Sequence, residues 1–158
     1  MDTLVNLDVA YVPTPKNIVR EMLDLAGLRR GELLFDLGAG DGRILIEAER
    51  SFGACDTGIE IDPERALRAK ERLKSTGLDA KVIQADFMNV DLSSADVIAI
   101  YLSDSVNAKL APKLIRELKP GSRVVSLDYC LPGLVAEKEL TVKGAIPRKV
   151  YLYKIPKQ

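Results

Sequence analysis

The sequence predicts an α/β fold, a doubly wound and mostly parallel sheet of seven strands that ends in a C-terminal antiparallel hairpin. Segments with strand and helix patterns alternate along nearly the whole chain, and a glycine-rich turn separates the first strand from the next helix. This alternation is typical of parallel sheets, because each parallel connection needs a crossover helix. The last two strand-like segments have no helix of useful length between them, which indicates an antiparallel pair at one sheet edge,.

The strands are predicted where short runs of apolar, β-prone residues lie between turn signals. The run at 96–101 is almost wholly apolar and is therefore expected near the centre of the sheet,. Right-handed crossovers fix most of the topology of the first five strands. The predicted strands cover residues 33–37, 57–61, 81–85, 96–101, 122–127, 139–142 and 150–155.

Helix boundaries are predicted from capping residues. Thr14 is expected to cap the first helix, with Pro15 at its first position, where proline is well tolerated,. Asp62 is a natural cap for a helix that opens with Pro63,. The predicted helices cover residues 15–27, 63–77 and 106–118, and a further helix begins after the glycine turn.

The composition bounds the domain count and excludes several classes of function. The 158 residues are expected to form one domain, 1–158,. The chain has no histidine, which excludes a Ser-His-Asp triad, a Cys-His pair and most zinc chemistry, so no metal site is expected,. Its formal net charge is zero, without the basic excess that favours binding to nucleic acid,.

The cysteines and the apolar runs bear on the cellular compartment. Cys55 and Cys130 are far apart and form no metal-ligand spacing, which fits a reduced cytoplasm,. No apolar run approaches the roughly 18 residues of a membrane helix, and no N-terminal signal pattern is present, so no membrane partner is expected. Five basic residues are interpreted as part of a solvated edge strand and tail: Lys143, Arg148, Lys149, Lys154 and Lys157,.

The turn after the first predicted strand is rich in glycine. Gly38, Gly40 and Gly42 have the spacing G-x-G-x-G, whereas the dinucleotide fingerprint is G-x-G-x-x-G,. Glycine permits a tight turn and a close approach of a ligand to the backbone, beside the positive end of a helix. A purely structural turn is the alternative.

Two carboxylates at this turn favour a cationic ligand. Asp36 precedes the glycines and Asp41 lies among them. A diphosphate would meet two like charges, whereas S-adenosylmethionine carries a sulfonium and an α-ammonium. The alternative for Asp41 is a cap on the following helix.

Two more carboxylates follow the next two predicted strands. Glu60 lies about 20 residues beyond the glycines, where an acidic side chain can bind ribose hydroxyls,. Asp86 can accept a hydrogen bond from an adenine amino group, while Ile61 or Phe87 covers the ring face. The alternatives are that Glu60 points to solvent and that Asp86 stabilises a turn. Since ligands bind at the carboxyl ends of strands in open α/β sheets, the conjunction predicts an S-adenosylmethionine site.

With these motifs, the chain resembles class I, seven-strand S-adenosylmethionine-dependent methyltransferases over essentially its full length. More narrowly, residues 11–15 (Y-V-P-T-P), 35–43 (F-D-L-G-A-G-D-G-R) and 118–126 resemble the small archaeal and mitochondrial-type protein lysine methyltransferases. The Y-V-P-T-P segment is the most specific of the three and lies over the methionine end of the cofactor in such enzymes. The resemblance therefore implies that residues 1–30 cover the cofactor site, with contacts from Tyr11, Val12 and Thr14.

The methyl acceptor is expected after the fourth strand, where class I enzymes place the groups that orient it. The sequence there is Tyr101-Leu102-Ser103-Asp104, which departs from the N/D-P-P-Y/F motif of enzymes that methylate nucleic acid bases or glutamine. Tyr101 is expected to contact both cofactor and acceptor. The candidate catalytic residues are Tyr101, Asn107 and Tyr129, for which a core tyrosine and a helix-cap asparagine are the alternatives.

Two positions of the chain differ from the lysine-modifying relatives. Leu127 stands where those relatives carry a histidine, and Ser105 stands where they carry an asparagine. The family roles of those two side chains are therefore not carried over to this chain.

The resemblance implies methyl transfer to protein lysine side chains, and the small size of the chain suggests broad specificity. Only the first 30 or so residues are available for a lid, and an open site suits a side chain that protrudes from a macromolecule,. Desolvation and the sulfonium favour loss of the lysine proton without a histidine base. A cytoplasmic monomer that acts on exposed lysines is expected. The alternatives are a methyltransferase for RNA or a small molecule, a non-catalytic S-adenosylmethionine-binding subunit and, more remotely, a nicotinamide dehydrogenase.

Overall fold

The computed structural model describes residues 13–157, so Tyr11 and Val12 lie outside the described residues. Strands and helices alternate along this part of the chain as far as the fifth strand. The strands are β1 Leu33–Leu37, β2 Cys55–Glu60, β3 Lys81–Gln84, β4 Val97–Ile100, β5 Arg123–Leu127, β6 Lys138–Val142 and β7 Arg148–Lys154. The helices are α1 Lys16–Leu25, α2 Arg43–Phe52, α3 Pro63–Thr76 and α4 Asp104–Glu117, and Phe87–Asn89 forms a short 3₁₀ turn.

The strands form one seven-stranded sheet in the order β3-β2-β1-β4-β5-β7-β6. The pairs from β3 to β5 are parallel, and β7 pairs antiparallel with both β5 and β6. The predicted doubly wound sheet with an antiparallel hairpin is therefore confirmed. The strand order reverses between β1 and β4, and this switch point is where such sheets bind ligands.

Two apolar layers cover the sheet. One face packs against α1, α2 and α3 through residues such as Leu23, Leu45 and Ala69. The other face packs against α4, where Leu110 and Leu114 are fully buried. Burial of β4 on both faces explains its apolar sequence and its central position,.

Two predicted helix starts have different outcomes. The cap at Asp62 is confirmed, because its carboxylate accepts a hydrogen bond from the backbone of Glu64 at 3.1 Å. The cap at Thr14 is wrong: α1 begins at Lys16, Pro15 holds the cap position, and no side chain caps the helix. Thr14 is buried, and its carbonyl accepts a hydrogen bond from Arg43 at 2.9 Å, so this residue faces the glycine turn.

The N-terminus of α4 also differs from the prediction. The helix starts at Asp104 rather than near residue 106, and the hydroxyl of Ser103 caps it by accepting from the backbone of Val106 at 3.2 Å. Asn107 therefore lies inside the helix, and the interpretation of Asn107 as a helix cap is wrong.

No helix in residues 13–157 is long and apolar enough to span a lipid bilayer.

Candidate active site

The glycine turn between β1 and α2 is held against the end of β2. The backbone N–H groups of Gly38 and Ala39 donate to the carbonyl of Ile59 at 2.8 and 3.1 Å. The N–H of Gly40 donates to the Glu60 carboxylate at 2.8 Å. Gly38 and Gly40 have φ of +85° and +58°, a region that other residues rarely adopt,. These hydrogen bonds therefore define the shape of the turn.

A further glycine on β2 lets this turn pack closely. A Cβ atom at Gly58 would lie 2.6 Å from Cβ of Ala39 and 2.7 Å from Cδ1 of Leu45. Both distances are far below van der Waals contact, so the backbone of β2 can approach the turn and α2 only because residue 58 has no side chain.

Asp36 lies on β1 directly below the turn and is 2% exposed. Burial and the neighbouring carboxylates of Glu60 and Asp41 raise its pKa to about 8. Among the described residues, no positive side chain offsets the unfavourable free energy of ionising Asp36. A buried carboxyl group of this kind binds a cation favourably, because the cation supplies the missing opposite charge.

Asp41 has a different environment from the one that its sequence position indicates. Its carboxylate pairs with Arg43 at 2.6 Å and with Arg72 at 3.1 Å. Although burial opposes the charged form, the hydrogen bonds from Arg43 and the charge of Arg72 hold the pKa of Asp41 below its usual value. Two arginines thus balance its charge, and Asp36 is the carboxyl group at this turn whose charged form has no positive partner among the described residues.

Asp41 does not cap α2 in the usual way. Gly42 occupies the cap position, and no side-chain cap bond is present. The Asp41 carboxylate does accept a hydrogen bond at 3.2 Å from the backbone of Arg43, within the first turn. Arg43 also donates to the carbonyl of Thr14, so one arginine joins the N-terminal entry segment to the glycine turn.

Glu60 is 3% exposed, so the alternative that it points to solvent is wrong. Its carboxylate accepts from the backbone of Gly40 and, at 3.0 Å, from that of Asp62. Arg65 lies 3.4 Å from the same group. Because a carboxylate offers about four acceptor positions, these bonds leave room for a ligand hydroxyl.

The adenine side predicted from the sequence lies at the end of β3. Asp86 is half-buried and accepts from the backbone of Met88 at 2.9 Å, which caps the 3₁₀ turn. The alternative role in stabilising a turn is therefore confirmed, and the second carboxylate oxygen is left for a ligand. Ile61 and Phe87 are also half-buried at the same edge. Since β3, β2 and β1 are neighbours, the predicted carboxylates of the three strand ends do share one edge.

Two tyrosines lie together on the predicted acceptor side. Tyr101 follows β4 and Tyr129 follows β5; their ring centroids are 6.3 Å apart and the planes are inclined by 18°. Both rings are partly exposed, so neither is the fully buried core tyrosine of the alternative interpretation. Such offset stacking stabilises the pair in one orientation.

Asn107 supports this pair from within the fold. It is fully buried, and its amide donates to the carbonyls of Tyr129 and Cys130 at 3.4 and 3.0 Å. The Ser126 hydroxyl donates to the same Tyr129 carbonyl. Asn107 thus contacts the turn that carries Tyr129, and a catalytic role for its side chain stays a prediction.

The switch point between β1 and β4 brings the glycine turn and the tyrosine pair together. Leu37 of β1 and Ile100 of β4 are paired in register, so Gly38 and Tyr101 leave the sheet side by side. A Cβ at Gly38 would lie 3.4 Å from Cδ2 of Leu102, which shows how closely the two chain segments pass. A ligand on the glycine turn therefore lies next to the tyrosine pair.

Two residues of this region did not emerge from the sequence. Arg148 lies over the ring of Tyr101, and its guanidinium pairs with Asp128 at 2.7 Å. The sequence shows Arg148 only as one of several basic residues near the C-terminus. Its position depends on the pairing of β7 with β5, which no local pattern reveals.

The fold and this edge define a class I methyltransferase. The edge has a glycine turn, a buried carboxyl group without a positive partner among the described residues and an acidic residue at the next strand end, and two stacked tyrosines lie beside it. A family model agrees: residues 36–138 match the ANTKMT methyltransferase domain. The chain belongs to this methyltransferase family, and the resemblance to S-adenosylmethionine-dependent methyltransferases is confirmed.

Two curated relatives and one solved structure illustrate the similarity. The chain is 40% identical over 151 residues to a protein-lysine N-methyltransferase of Saccharolobus islandicus (strain REY15A), covering 93% of this chain and 94% of the relative. It is 34% identical to the adenine nucleotide translocase lysine N-methyltransferase of Mus musculus, over 80% of this chain but only 56% of that protein. A Salinibacter ruber structure described as an RNA methyltransferase in complex with S-adenosyl-L-homocysteine superposes with a TM-score of 0.88 at 40% identity. That match covers 93% of this chain and 95% of the other.

Proposed function

We propose that the chain transfers methyl groups from S-adenosylmethionine to lysine side chains of proteins, with broad specificity. The observation that carries the proposal is the position of Tyr101 beside Gly38 at the switch point. This position supports the proposal because the stacked tyrosines, proposed to hold the acceptor, lie next to the turn above the buried carboxyl group of Asp36, proposed to bind the donor. The similarity to lysine methyltransferases from two domains of life supports the choice of acceptor.

The donor half of the site would hold the cofactor through Asp36, Glu60 and Asp86. Asp36 supplies negative charge beneath the glycine turn, Glu60 supplies acceptors for ribose hydroxyls, and Asp86 supplies an acceptor at the base end. Ile61 and Phe87 offer apolar surface for the base. When bound, S-adenosylmethionine supplies an electrophilic methyl group whose departure leaves a neutral thioether.

The N-terminal segment is proposed to close over the methionine end of the cofactor. Thr14 is buried, and its carbonyl accepts a hydrogen bond from Arg43, which also donates to the carboxylate of Asp41 in the glycine turn. This chain of contacts supports a cover formed by residues 1–30, with Tyr11, Val12 and Thr14 facing the ligand. Residues 1–158 are accordingly proposed to act as one methyltransferase domain.

The acceptor half must hold a neutral amine in line with the methyl group. The pKa of a lysine is roughly 10.4 in water, so the amine needs to lose a proton. Desolvation and the positive sulfonium disfavour the charged form, and the freed proton can pass to solvent because Tyr101 and Tyr129 are partly exposed,. Tyr101 and Tyr129 are proposed to restrict the amine to a near-attack position.

An RNA acceptor is the second candidate, since the Salinibacter ruber chain is described as an RNA methyltransferase. The charges at the acceptor edge do not favour it. Arg148 is paired with Asp128, and Lys149 is paired with Glu139 at 3.0 Å. Together with a formal net charge of zero, these pairs leave little free positive charge for phosphates,.

Labelled S-adenosylmethionine and fractionated cell extract provide the direct test. Mass spectrometry of the labelled material should find methyl groups on protein lysines. Asp36→Asn is the matched control, because it retains the shape of the crevice but not its charge, and it should reduce labelling strongly. Label in RNA, or no label with intact cofactor binding, would overturn the lysine assignment.

A second comparison tests the tyrosine pair. Tyr101→Phe and Tyr129→Phe remove only the hydroxyl groups, whereas Tyr101→Ala and Tyr129→Ala remove the rings. If the rings confine the amine, the alanine variants should lose at least about tenfold in kcat. Unchanged turnover in all four variants would contradict the assignment. We also propose that the enzyme is cytoplasmic and monomeric. Size-exclusion chromatography with light scattering tests the oligomeric state.

A further inference from the structure

Arg148, the first residue of β7, reaches back across the acceptor edge. Its guanidinium carbon lies 5.2 Å from the ring centroid of Tyr101. Its Nε donates to the Asp128 carboxylate at 2.8 Å, and its Nη2 lies 2.7 Å from the same oxygen. The Arg148 side chain is only 19% exposed, so solvent competes little for these contacts.

Asp128 has an unusual backbone conformation. It is the one non-glycine residue of the described chain with a positive φ, +66°. This conformation is unfavourable for an L-residue and persists only where the surroundings impose it. Here the surroundings are the first two residues of β7. In addition to the Arg148 pair, Asp128 donates its N–H to the Lys149 carbonyl at 2.7 Å and accepts from the Lys149 N–H at 3.2 Å.

The strained residue stands directly before Tyr129. The direction in which the chain leaves Asp128 therefore contributes to the position of Tyr129, together with the hydrogen bonds from Asn107 and Ser126 to the Tyr129 carbonyl. Arg148 thus acts on both tyrosines: it covers the ring of Tyr101 directly, and it holds Tyr129 in place through Asp128.

The position over Tyr101 also has a chemical consequence. An arginine is charged at every working pH, and its hydrogen bonds to Asp128 raise its pKa further. The guanidinium occupies a cation–π position on Tyr101 that a lysine ammonium would otherwise favour. The tyrosine pair therefore favours an uncharged amine over an ammonium group, and the uncharged amine is the form that accepts a methyl group.

We propose that Arg148 is a positioning residue of the acceptor site, which fixes the Tyr101–Tyr129 pair and excludes a charged amine from the face of Tyr101. This inference rests on the proposed function, because it takes the tyrosine pair as the place where the lysine is held. Arg148 is not itself among the residues proposed to hold the cofactor, and we expect donor binding to change by less than the transfer rate when Arg148 is replaced.

Arg148→Gln tests the proposal, with Lys154→Gln as the matched control. Lys154 is an exposed basic residue at the other end of the same strand. Arg148→Gln should lower kcat about tenfold or more for a protein acceptor and leave the Kd for S-adenosylhomocysteine within twofold of the parent. Lys154→Gln should match the parent in both measurements. Arg148→Lys keeps the charge but not the planar fork, and it should recover only part of the lost rate.

A double-mutant cycle separates this role from a general loss of stability. Asp128→Asn tolerates the positive φ but loses the charge partner. If Arg148 acts through Asp128, the double variant should lose no more rate than Arg148→Gln alone. Additive losses would overturn the coupling to Tyr129.

A readout without turnover distinguishes this proposal from the proposed function. Ring-labelled tyrosine in NMR spectra should show shifted signals for Tyr101 and Tyr129 in Arg148→Gln and unshifted signals in Lys154→Gln. Unshifted rings, or a normal kcat in Arg148→Gln, overturn the positioning role while the lysine activity of the parent stands. If the parent itself labels no protein lysine, the proposed function fails, and with it the exclusion of a charged lysine.

Discussion

The backbone N–H of Gly40 donates a 2.8 Å hydrogen bond to the carboxylate of Glu60, twenty residues further along the chain. The bond is buried, and it joins the glycine turn after β1 to the end of β2. Glu60 therefore shapes the donor crevice and also serves as a candidate ligand for the ribose. A change at this residue affects the turn and the cofactor together.

Glu60→Ala should destabilise the protein and weaken cofactor binding. The substitution leaves the N–H groups of Gly40 and Asp62 without their acceptor, and such losses cost about 1–3 kcal/mol for each buried group,. Denaturant unfolding should show a lower free energy of unfolding, and calorimetry should show at least tenfold weaker binding of S-adenosylhomocysteine. Glu64→Ala, on the exposed side of α3, serves as the control and should change neither. Equal binding in both variants would contradict a role of Glu60 in the site.

Binding of S-adenosylmethionine should tighten as pH rises from about 6 to the pKa of Asp36, about 8. Below that pH the free site holds Asp36 protonated, and a cationic ligand favours the carboxylate, so binding must release a proton. The Kd at pH 6.5 should therefore be about tenfold higher than at pH 8. Calorimetry in buffers of different ionisation enthalpy measures both the Kd and the proton release.

Asp36→Asn separates the contribution of the site from that of the ligand, whose own amine titrates in this range. The variant should bind more weakly at pH 8 and should lose the part of the pH trend that belongs to Asp36. The same pH trend in both proteins would show that Asp36 is not the group that titrates on binding.

Asp56→Asn should stabilise the protein at high pH. Asp56 on β2 is 5% exposed, and neither of its carboxylate oxygens has a hydrogen-bond partner in the described structure. Burial, then Glu49 and Asp36, raise its pKa to about 8. Between the unfolded pKa of roughly 3.9 and this value the folded state binds the extra proton, so the stability contributed by the aspartic acid falls as pH rises. The variant should match the parent near pH 4 and exceed it by roughly 4–5 kcal/mol at pH 8, since the folded pKa lies about four units above the unfolded one and each unit corresponds to about 1.4 kcal/mol,.

Thermal or urea unfolding across that pH range checks this prediction. Asp24→Asn, an exposed carboxylate on α1, should follow the pH curve of the parent. A constant difference between Asp56→Asn and the parent at every pH would show that Asp56 does not titrate as described.

Gly58→Ala should disturb both the fold and the glycine turn. The added Cβ would meet Ala39 at 2.6 Å and Leu45 at 2.7 Å, so β2 must move away from the turn. Such overpacking costs about 1–3 kcal/mol, which lowers Tm by several degrees in a chain of this size. Gly144→Ala is the control, because the nearest atom to its Cβ is the Ile146 carbonyl at 3.8 Å. Equal Tm values for the two variants would show that the sheet absorbs the methyl group without strain.

The positions of the carboxylates predicted to form the donor side could be anticipated from the sequence, because their signals are local. Apolar runs mark the strands, and each candidate carboxylate stands at the end of its run, as Asp36, Glu60 and Asp86 do. The parallel order of β3, β2 and β1 then brings these ends to one edge, which the general rules for α/β sheets anticipate,. The same rules place Tyr101 beside the glycine turn.

The remaining features depend on contacts that sequence patterns do not encode. Asp41 looks like an uncompensated acid in the sequence, yet Arg72 from α3 neutralises it together with Arg43. Thr14 looks like a helix cap in the sequence, but its carbonyl accepts a hydrogen bond from Arg43 and so faces the glycine turn. Arg148 lies at Tyr101 only because the register of β7 against β5 places it there. Long side chains that cross between strands and helices are decided by tertiary packing.

The switch point between β1 and β4 also divides the enzyme by task. The residues proposed to hold the donor come from β1, β2 and β3, whereas those proposed to hold the acceptor follow β4 and β5 or begin β7. Substitutions in one half can therefore accumulate with little effect on the other. A lineage that keeps the donor half can acquire new targets by changing a few residues after β4, after β5 and at the start of β7. In protein design, the segments on the acceptor side of this boundary could be exchanged to change acceptor specificity while the proposed cofactor site is left unchanged.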